Sequence, residues 1–227
     1  MKKIIAILIT LSCLIALFSC GGTNEVDMVG EMFKASKPTK TLVATTQQFG
    51  ETILEAQYTL VTGLVDGASA SVYEAIYDEL ISVEDGATEV VQDSIVEKYE
   101  LLEYLDGYGV RKTEGDKVGK WEAAENFASE TGPMSLNLLS DYVKEFKYED
   151  KKLVCVVEAK NTAEVLGVEE DLPVGVTIEV TDDGASITQI IITYTLPEDT
   201  ASEVPETQVT IKAFYFYDLQ KIEIDVK

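Results

Sequence analysis

The chain has 227 residues, enough for one large domain or two small ones, and 46% of them are hydrophobic, which excludes global disorder. Its 41 acidic and 18 basic residues give a net charge of -23, so it would repel a phosphate backbone, and no nucleic-acid partner is expected. It contains no histidine, which removes the usual general base at neutral pH, the Ser-His and Cys-His nucleophile pairs, and histidine metal ligands.

The N-terminal segment has the three parts of a secretion signal. Lys2 and Lys3 supply the positive charge, the stretch from Ile4 to Phe18 is apolar, and Ser19 is a small residue at its end. The apolar stretch is shorter than the roughly 20 residues that a membrane-spanning helix needs. The sequence therefore predicts a signal peptide over residues 1–19.

The letters LFSC, followed by GG, resemble the lipobox of bacterial lipoproteins, with Leu17, Ser19 and Cys20 at the expected places and Phe18 where a small residue is usual. The resemblance implies cleavage before Cys20 and diacylglycerol on its thiol. Two or three acyl chains hold a protein stably at a membrane where one chain does not. We expect residues 20–27 to be a tether in the bacterial cell envelope, with the domain facing outside the cytoplasm; a plain secreted protein is the alternative.

The first elements of the domain are a helix and two strands. Helical spacing of apolar residues predicts a helix over 25–36, which Pro38 ends. The Thr- and Val-rich TKTLVATTQQF predicts a strand. In ETILEAQYTLVTG, the alternation of apolar and polar residues predicts a half-buried antiparallel strand with one apolar face. The apolar face consists of Leu54, Ala56, Tyr58 and Leu60.

The next segment allows two interpretations. In ASASVYEAIYDELISVEDG, Tyr73 and Tyr77 share one strand face, whereas Ser71 and Glu74 could form the capping box of a helix. The flanking strand patterns favour a strand. The segment that follows, DSIVEKYELLEYLDGYGVRKTEGDKVGKWE, predicts two strands with a turn at Asp106-Gly107 and a second turn at 114–116.

The second half of the sequence predicts one helix followed by strands. TGPMSLNLLSDYVKEFKY (131–148) has Pro133 in its first turn and an apolar stripe, which favours a helix. Strands are predicted in KKLVCVVEA, VGVTIEV, SITQIIITYTL and TQVTIKAFYFYDL, with TDDGAS as a hairpin turn. NTAEVLG predicts a short helix capped by Asn161 or Thr162, and KIEIDVK an edge strand. Cys155 lies in a β-type apolar run and is expected to be buried.

These elements predict a β-rich α+β fold, a curled antiparallel sheet in the form of an unclosed half-barrel, with a few covering helices. Their order, and a loose Y-x-D-G … G-x-W hairpin pattern, are similar to the LolA/LppX-type lipoprotein carriers and binding proteins. The residues of the hairpin pattern are Tyr104, Asp106, Gly107, Gly119 and Trp121. The resemblance covers most of a single domain over 28–227, and its lipid-anchored LppX-like branch is the closer comparison. It implies a face that holds acyl chains.

The function expected is that of a non-enzymatic, lipid-anchored binding protein for a lipid or another apolar ligand. No cofactor and no metal site are expected, because the acidic pairs lie at turns and no calcium loop, phosphate loop, GxSxG or CxxC motif occurs. A structural or protein-interaction lipoprotein with a solid core is the alternative, since a filled core and a ligand cavity have the same sequence pattern. The residues expected to bind an apolar ligand are Leu54, Tyr58, Leu60, Tyr73 and Tyr77.

Overall fold

The computed structural model describes residues 24–82, 88–104, 107–114, 116–124, 136–198 and 205–224. The predicted signal peptide, Cys20, Asp106 and Pro133 lie outside these residues. Within them, helix α1 spans Glu25–Ala35, a single 3-10 turn spans Ala159–Asn161, and helix α2 spans Thr162–Leu166. Helix α1 begins inside the predicted tether, because the side chain of Asn24 caps it by accepting a hydrogen bond from the Val26 N–H (2.9 Å).

Most of the described chain is β-structure. The strands are β1 (Lys40–Phe49), β2 (Thr52–Val65), β3 (Ala68–Ser82), β4 (Thr88–Tyr104), β5 (Gly107–Glu114), β6 (Lys117–Val118), β7 (Glu122–Ala124), β8 (Val143–Glu149), β9 (Lys152–Val157), β10 (Val176–Asp182), β11 (Ile187–Leu196) and β12 (Thr207–Phe216). The segment with two interpretations is therefore a strand, β3, and the strands predicted in the second half of the chain are confirmed as β9 to β12.

The described strands form one antiparallel sheet that does not close. Its order is β6-β5-β4-β3-β2-β1-β12-β11-β10-β9-β8, and β7 also pairs with β5. Along this order, neighbours in the sheet are neighbours in sequence except at β1 and β12, where the two halves of the chain join; the β5–β7 pair also skips one strand. The expected fold class, a β-rich α+β fold built on an unclosed antiparallel sheet with short helices, is confirmed.

Tight turns connect several of these strands. Asp66 and Gly67, between β2 and β3, both have positive φ (52° and 86°), as a two-residue hairpin turn requires. In the predicted TDDGAS turn, the Asp183 carboxylate accepts hydrogen bonds from the N–H groups of Ala185 and Ser186 (both 2.8 Å). These local hydrogen bonds stabilise the β10–β11 hairpin.

The main core lies between α1 and the β8–β12 half of the sheet. Val26 and Val29 of α1 are fully buried against Cys155, Ile178 and Ile190, among others. The predicted burial of Cys155 is confirmed at 1% exposure. We call the side of the sheet that carries α1 the helix face.

Residues 136–149 do not form the predicted helix. Leu136 and Leu138 are both buried, which is a two-residue period, and Val143–Glu149 pairs with β9 as strand β8. The Asp27 carboxylate accepts a hydrogen bond from the Ser140 N–H (2.7 Å), which fixes this segment over α1. The apolar stripe did not predict the conformation correctly, because pairing with β9 and packing on α1 decide the local structure.

The C-terminal residues 221–224 do not form the predicted edge strand. They cross the face opposite α1, where Ile222 and Ile224 pack with Ala70 and Leu102 in a second, smaller buried cluster. Ile222 also lies against Gly63 of β2, where an added Cβ would come within 3.0 Å of its side chain. The alternation of Ile222 and Ile224 is satisfied by burial across strands rather than by pairing along an edge. Residues 225–227 of the predicted strand lie outside the described residues.

Candidate functional site

The five residues expected to bind an apolar ligand lie together on the helix face. Leu54, Tyr58 and Leu60 project from β2, and Tyr73 and Tyr77 project from β3. Leu60 lies directly opposite Tyr73 in the strand register. All five are partly buried, and none belongs to the two buried clusters that the described residues form.

One row of residues joins this group to the helix-covered core. Across neighbouring strands, Tyr215 of β12 lies opposite Thr41 of β1, which lies opposite Leu60. Phe33 of α1 packs edge-on against Tyr215, with ring centroids 5.9 Å apart. The predicted residues therefore continue the face of the core beyond the part that α1 covers.

Three tyrosines on adjacent strands form what we call the tyrosine ladder: Tyr58 of β2, Tyr73 of β3 and Tyr99 of β4. The rings of Tyr58 and Tyr73 stack at 6.1 Å with an interplanar angle of 23°, and those of Tyr73 and Tyr99 lie 6.0 Å apart at 48°. These spacings are those of favourable aromatic pairs. Tyr99 was not among the predicted site residues, because only the β3–β4 register places it opposite Tyr73.

A charged group closes the β5 end of the ladder. The Lys112 ammonium lies 5.2 Å from the centroid of the Tyr99 ring and forms ion pairs with Glu97 (2.9 Å) and Glu114 (2.7 Å). Hydrogen bonds to Glu114, Tyr99 and Glu97 raise the pKa of Lys112. The ammonium in turn lowers the pKa of the Glu114 carboxyl. Lys112 is therefore a permanently charged, fully paired cation held against an aromatic ring.

Burial changes the acidity of the central tyrosine. Desolvation, followed by the proximity of Tyr58 and Glu97, raises the pKa of Tyr73 to about 12. The Tyr73 hydroxyl therefore stays protonated and uncharged at neutral pH, so this side chain presents aromatic surface with a polar tip and no anionic charge.

A pocket of about 430 Å³ lies beside the ladder. The residues that line it are Tyr99, Val110, Lys112, Gly119, Lys120, Glu122 and Ala123. Glu122 lies opposite Val110 in the register, and Trp121, its neighbour in sequence, packs on Arg111 of the opposite face (4.8 Å). Alternation therefore directs Lys120 and Glu122 to the helix face, beside Tyr99.

The chain approaches itself closely where this pocket is formed. The Gly119 N–H donates to the Lys112 carbonyl (2.8 Å), and a Cβ on Gly119 would come within 2.3 Å of that oxygen. Only glycine fits at this position, so the wall of the pocket depends on it.

The opposite face of β4 and β5 is occupied by a buried ion pair. Glu100 is 3% exposed and pairs with Arg111 (2.5 Å) and Lys98 (3.1 Å). The guanidinium of Arg111 stacks on Trp121, which also packs against the Ile224 cluster. This face is filled by the protein's own side chains, which leaves the helix face as the candidate site.

The described residues give no support for metal or thiol chemistry. No group of three or more Cys, Asp or Glu residues among them could hold a metal ion. Burial raises the pKa of the Cys155 thiol to about 12, so it is not a nucleophile in the folded protein. No helix within the described residues is long and apolar enough to cross a membrane.

The fold and this face define a β-rich α+β protein with an open antiparallel sheet whose helix face is only partly covered by α1. No family model matches the sequence, and no curated relative matches it. Among solved structures, the chain is similar to a DUF1329 family protein from Desulfovibrio piger, with 11% sequence identity and a TM-score of 0.27 over 86% of this chain and 93% of that one.

Proposed function

We propose that this protein is a lipid-anchored binding protein of the bacterial cell envelope that holds a lipid or another apolar ligand and has no catalytic activity. The observation that supports a ligand is the tyrosine ladder with Leu54, Leu60 and Tyr77. These side chains continue the face of the core, yet they belong to neither of the buried clusters among the described residues. Apolar surface of this kind is stabilised when a ligand removes it from water.

The anchor in this proposal rests on the lipobox-like sequence that ends at Cys20. Acyl chains on Cys20 would hold the domain at the membrane surface, where apolar ligands are present. Growth with an alkyne-tagged fatty acid tests this: the wild-type chain is expected to carry the tag and Cys20→Ala is expected to lack it. Equal labelling of both chains would contradict an anchor at Cys20.

Ligand binding is tested by native mass spectrometry of the full chain purified from its host membranes. We expect one additional mass on the wild-type protein, and occupancy lower by about tenfold in the Tyr58→Ser/Tyr73→Ser variant, because two large aromatic surfaces are lost. The matched control is Gln57→Ser/Glu74→Ser, which alters exposed side chains of the same strands.

The two variants separate a specific ligand from lipid carried over during purification. The occupancy by carried-over lipid would be the same in both double variants. An unchanged mass distribution in the ladder variant, or a wild-type protein with no additional mass, would contradict the proposed function and favour an interaction protein with a solid core.

A further inference from the structure

We propose that the pocket beside the tyrosine ladder binds an ammonium group of the ligand, between the Glu122 carboxylate and the ring of Tyr99. This inference rests on the proposed function and adds the chemistry of the ligand's polar end. The ammonium could come from a zwitterionic phospholipid head group or from a small amine with an apolar body.

The charge of the protein disfavours an anion. The pocket lining carries Lys112, Lys120 and Glu122, and Lys112 is paired with Glu97 and Glu114, which leaves Lys120 and Glu122 as the lining charges without an ion pair among the described residues. Because these two charges balance, the net charge of -23 on the whole chain decides the sign of the wider field. A cation is attracted by that field and an anion is repelled by it.

The protein already places one ammonium in this environment. The Lys112 Nζ lies 5.2 Å from the Tyr99 ring centroid and pairs with two carboxylates. Cation–π attraction and carboxylate pairing therefore stabilise a primary ammonium at this end of the ladder. The arrangement shows that this end of the ladder accommodates a primary ammonium.

Glu122 supplies the carboxylate for a second ammonium. It lines the pocket on the same face as Tyr99, and it has no ion pair among the described residues, whereas Glu97 and Glu114 are occupied by Lys112. The apolar part of the same ligand would extend from the pocket along Tyr99, Tyr73 and Tyr58.

The experiment uses the full chain in a nonionic detergent and measures binding by isothermal titration calorimetry, because Trp121, the single tryptophan of the protein, lies on the opposite face of the sheet. Two pairs of probes differ in charge but have matched apolar parts. The first pair is phenethylammonium and 3-phenylpropionate; the second is dihexanoyl phosphatidylethanolamine and dihexanoyl phosphatidylglycerol.

We expect the ammonium-bearing member to bind about tenfold more tightly than its partner in at least one pair. The first pair reports a small amine and the second a lipid head group, so the pair that discriminates identifies the source. Glu122→Gln is expected to abolish the discrimination. The control Glu164→Gln, an exposed carboxylate on α2, is expected to retain it.

A variant that is expected to bind more tightly distinguishes a change in the ligand site from simple loss of structure. Lys112→Gln frees Glu97 and Glu114, so it is expected to bind phenethylammonium more tightly than the wild-type chain does, even as its stability falls. A damaged site would bind all probes more weakly.

The outcomes separate this inference from the proposed function. Three results would overturn the inference: equal affinity for both members of each pair, tighter binding of the anionic member, or discrimination that persists in Glu122→Gln. If Tyr73→Ala still weakens the binding of every probe, these results leave the proposed function standing. Failure of every probe to bind would count against both.

Discussion

At the scale of single residues, burial decides which groups can react. Cys155 lies in the main core at 1% exposure, and desolvation raises the pKa of its thiol to about 12. Both the fraction of the thiol present as thiolate and its access by a reagent are therefore low in the folded state. The sequence predicted this burial because the cysteine stands in an apolar strand pattern.

We expect Cys155 to resist alkylation by iodoacetamide at about pH 8 in the folded protein and to react fully after unfolding in urea. Mass mapping of the peptide that contains Cys155 separates it from Cys13 and Cys20. Rapid labelling of Cys155 in native buffer would contradict its placement in the core.

Tyr73 makes stability depend on pH in the alkaline range. Its pKa is raised from 10.0 to about 12 on folding, so the unfolded chain loses the proton first as pH rises. The contribution of Tyr73 is complete below pH 10 and is lost as pH rises through about 12. Urea titrations between these values should show a smaller loss of unfolding free energy in Tyr73→Phe than in the wild type; an equal loss would show that Tyr73 is not the group responsible.

Five candidate site residues could be assigned to strand faces from sequence, whereas Tyr99, Lys112 and the pocket could not. Alternation within β2 and β3 put Leu54, Tyr58, Leu60, Tyr73 and Tyr77 on common faces, which the structure bears out. Tyr99, Lys112 and the pocket required the registers of β3 with β4 and β4 with β5. Such registers are set by pairing between strands, which local periodicity does not encode.

At the scale of elements, helix α1 is held between the sheet and residues 136–140. The backbone of Gly30 lies so close to Leu138 that an added Cβ would come within 2.2 Å of the Leu138 carbonyl oxygen. Asp27 receives hydrogen bonds from the N–H and hydroxyl of Ser140 on the same side. The helix therefore needs a residue without a side chain at position 30.

Gly30→Ala should lower the unfolding free energy by about 1–3 kcal/mol because of this overlap, although the same change in an exposed helix is stabilising. Chemical denaturation measures the difference. The matched control Glu31→Ala alters an exposed neighbour in α1 and loses only a surface ion pair with Lys34, so it should cost less than about 1 kcal/mol. A stabilised Gly30→Ala protein would contradict the close approach.

The C-terminal segment gives a second matched pair. Ile224 is 9% exposed within the smaller cluster, and Leu219 is 98% exposed. Ile224→Ala should therefore cost about 2–5 kcal/mol and Leu219→Ala less than about 0.5 kcal/mol. Equal effects on thermal or urea unfolding would show that residues 221–224 do not pack on the sheet.

The two elements that sequence reasoning misjudged share one physical cause. Residues 136–149 and 221–224 carry apolar spacings that fit a helix and an edge strand, respectively. In the structure, the first segment packs on α1 and pairs with β9, and the second packs across β2 to β4. Contacts distant in sequence therefore outweighed local preference, whereas strands bounded by clear turns, such as β10 and β11, were predicted correctly.

At the scale of the whole molecule, the part of the chain that the structure describes covers the sheet unevenly. Helix α1 and residues 136–140 pack over the β8–β12 half, and the tyrosine ladder lies on the same face of the other half. A strongly acidic domain with this partly covered face, behind a lipobox-like sequence, is the basis of the proposal that it binds an apolar ligand near a membrane.

Photo-crosslinking tests this proposal most directly, with the full chain, a diazirine-bearing fatty acid and peptide mapping of the products. The proposal predicts crosslinks concentrated in β2, β3 and β4 around Tyr58, Tyr73 and Tyr99, and their loss in Tyr58→Ser/Tyr73→Ser but not in Gln57→Ser/Glu74→Ser. Crosslinks spread evenly over the surface, or confined to strands away from the ladder, would contradict it.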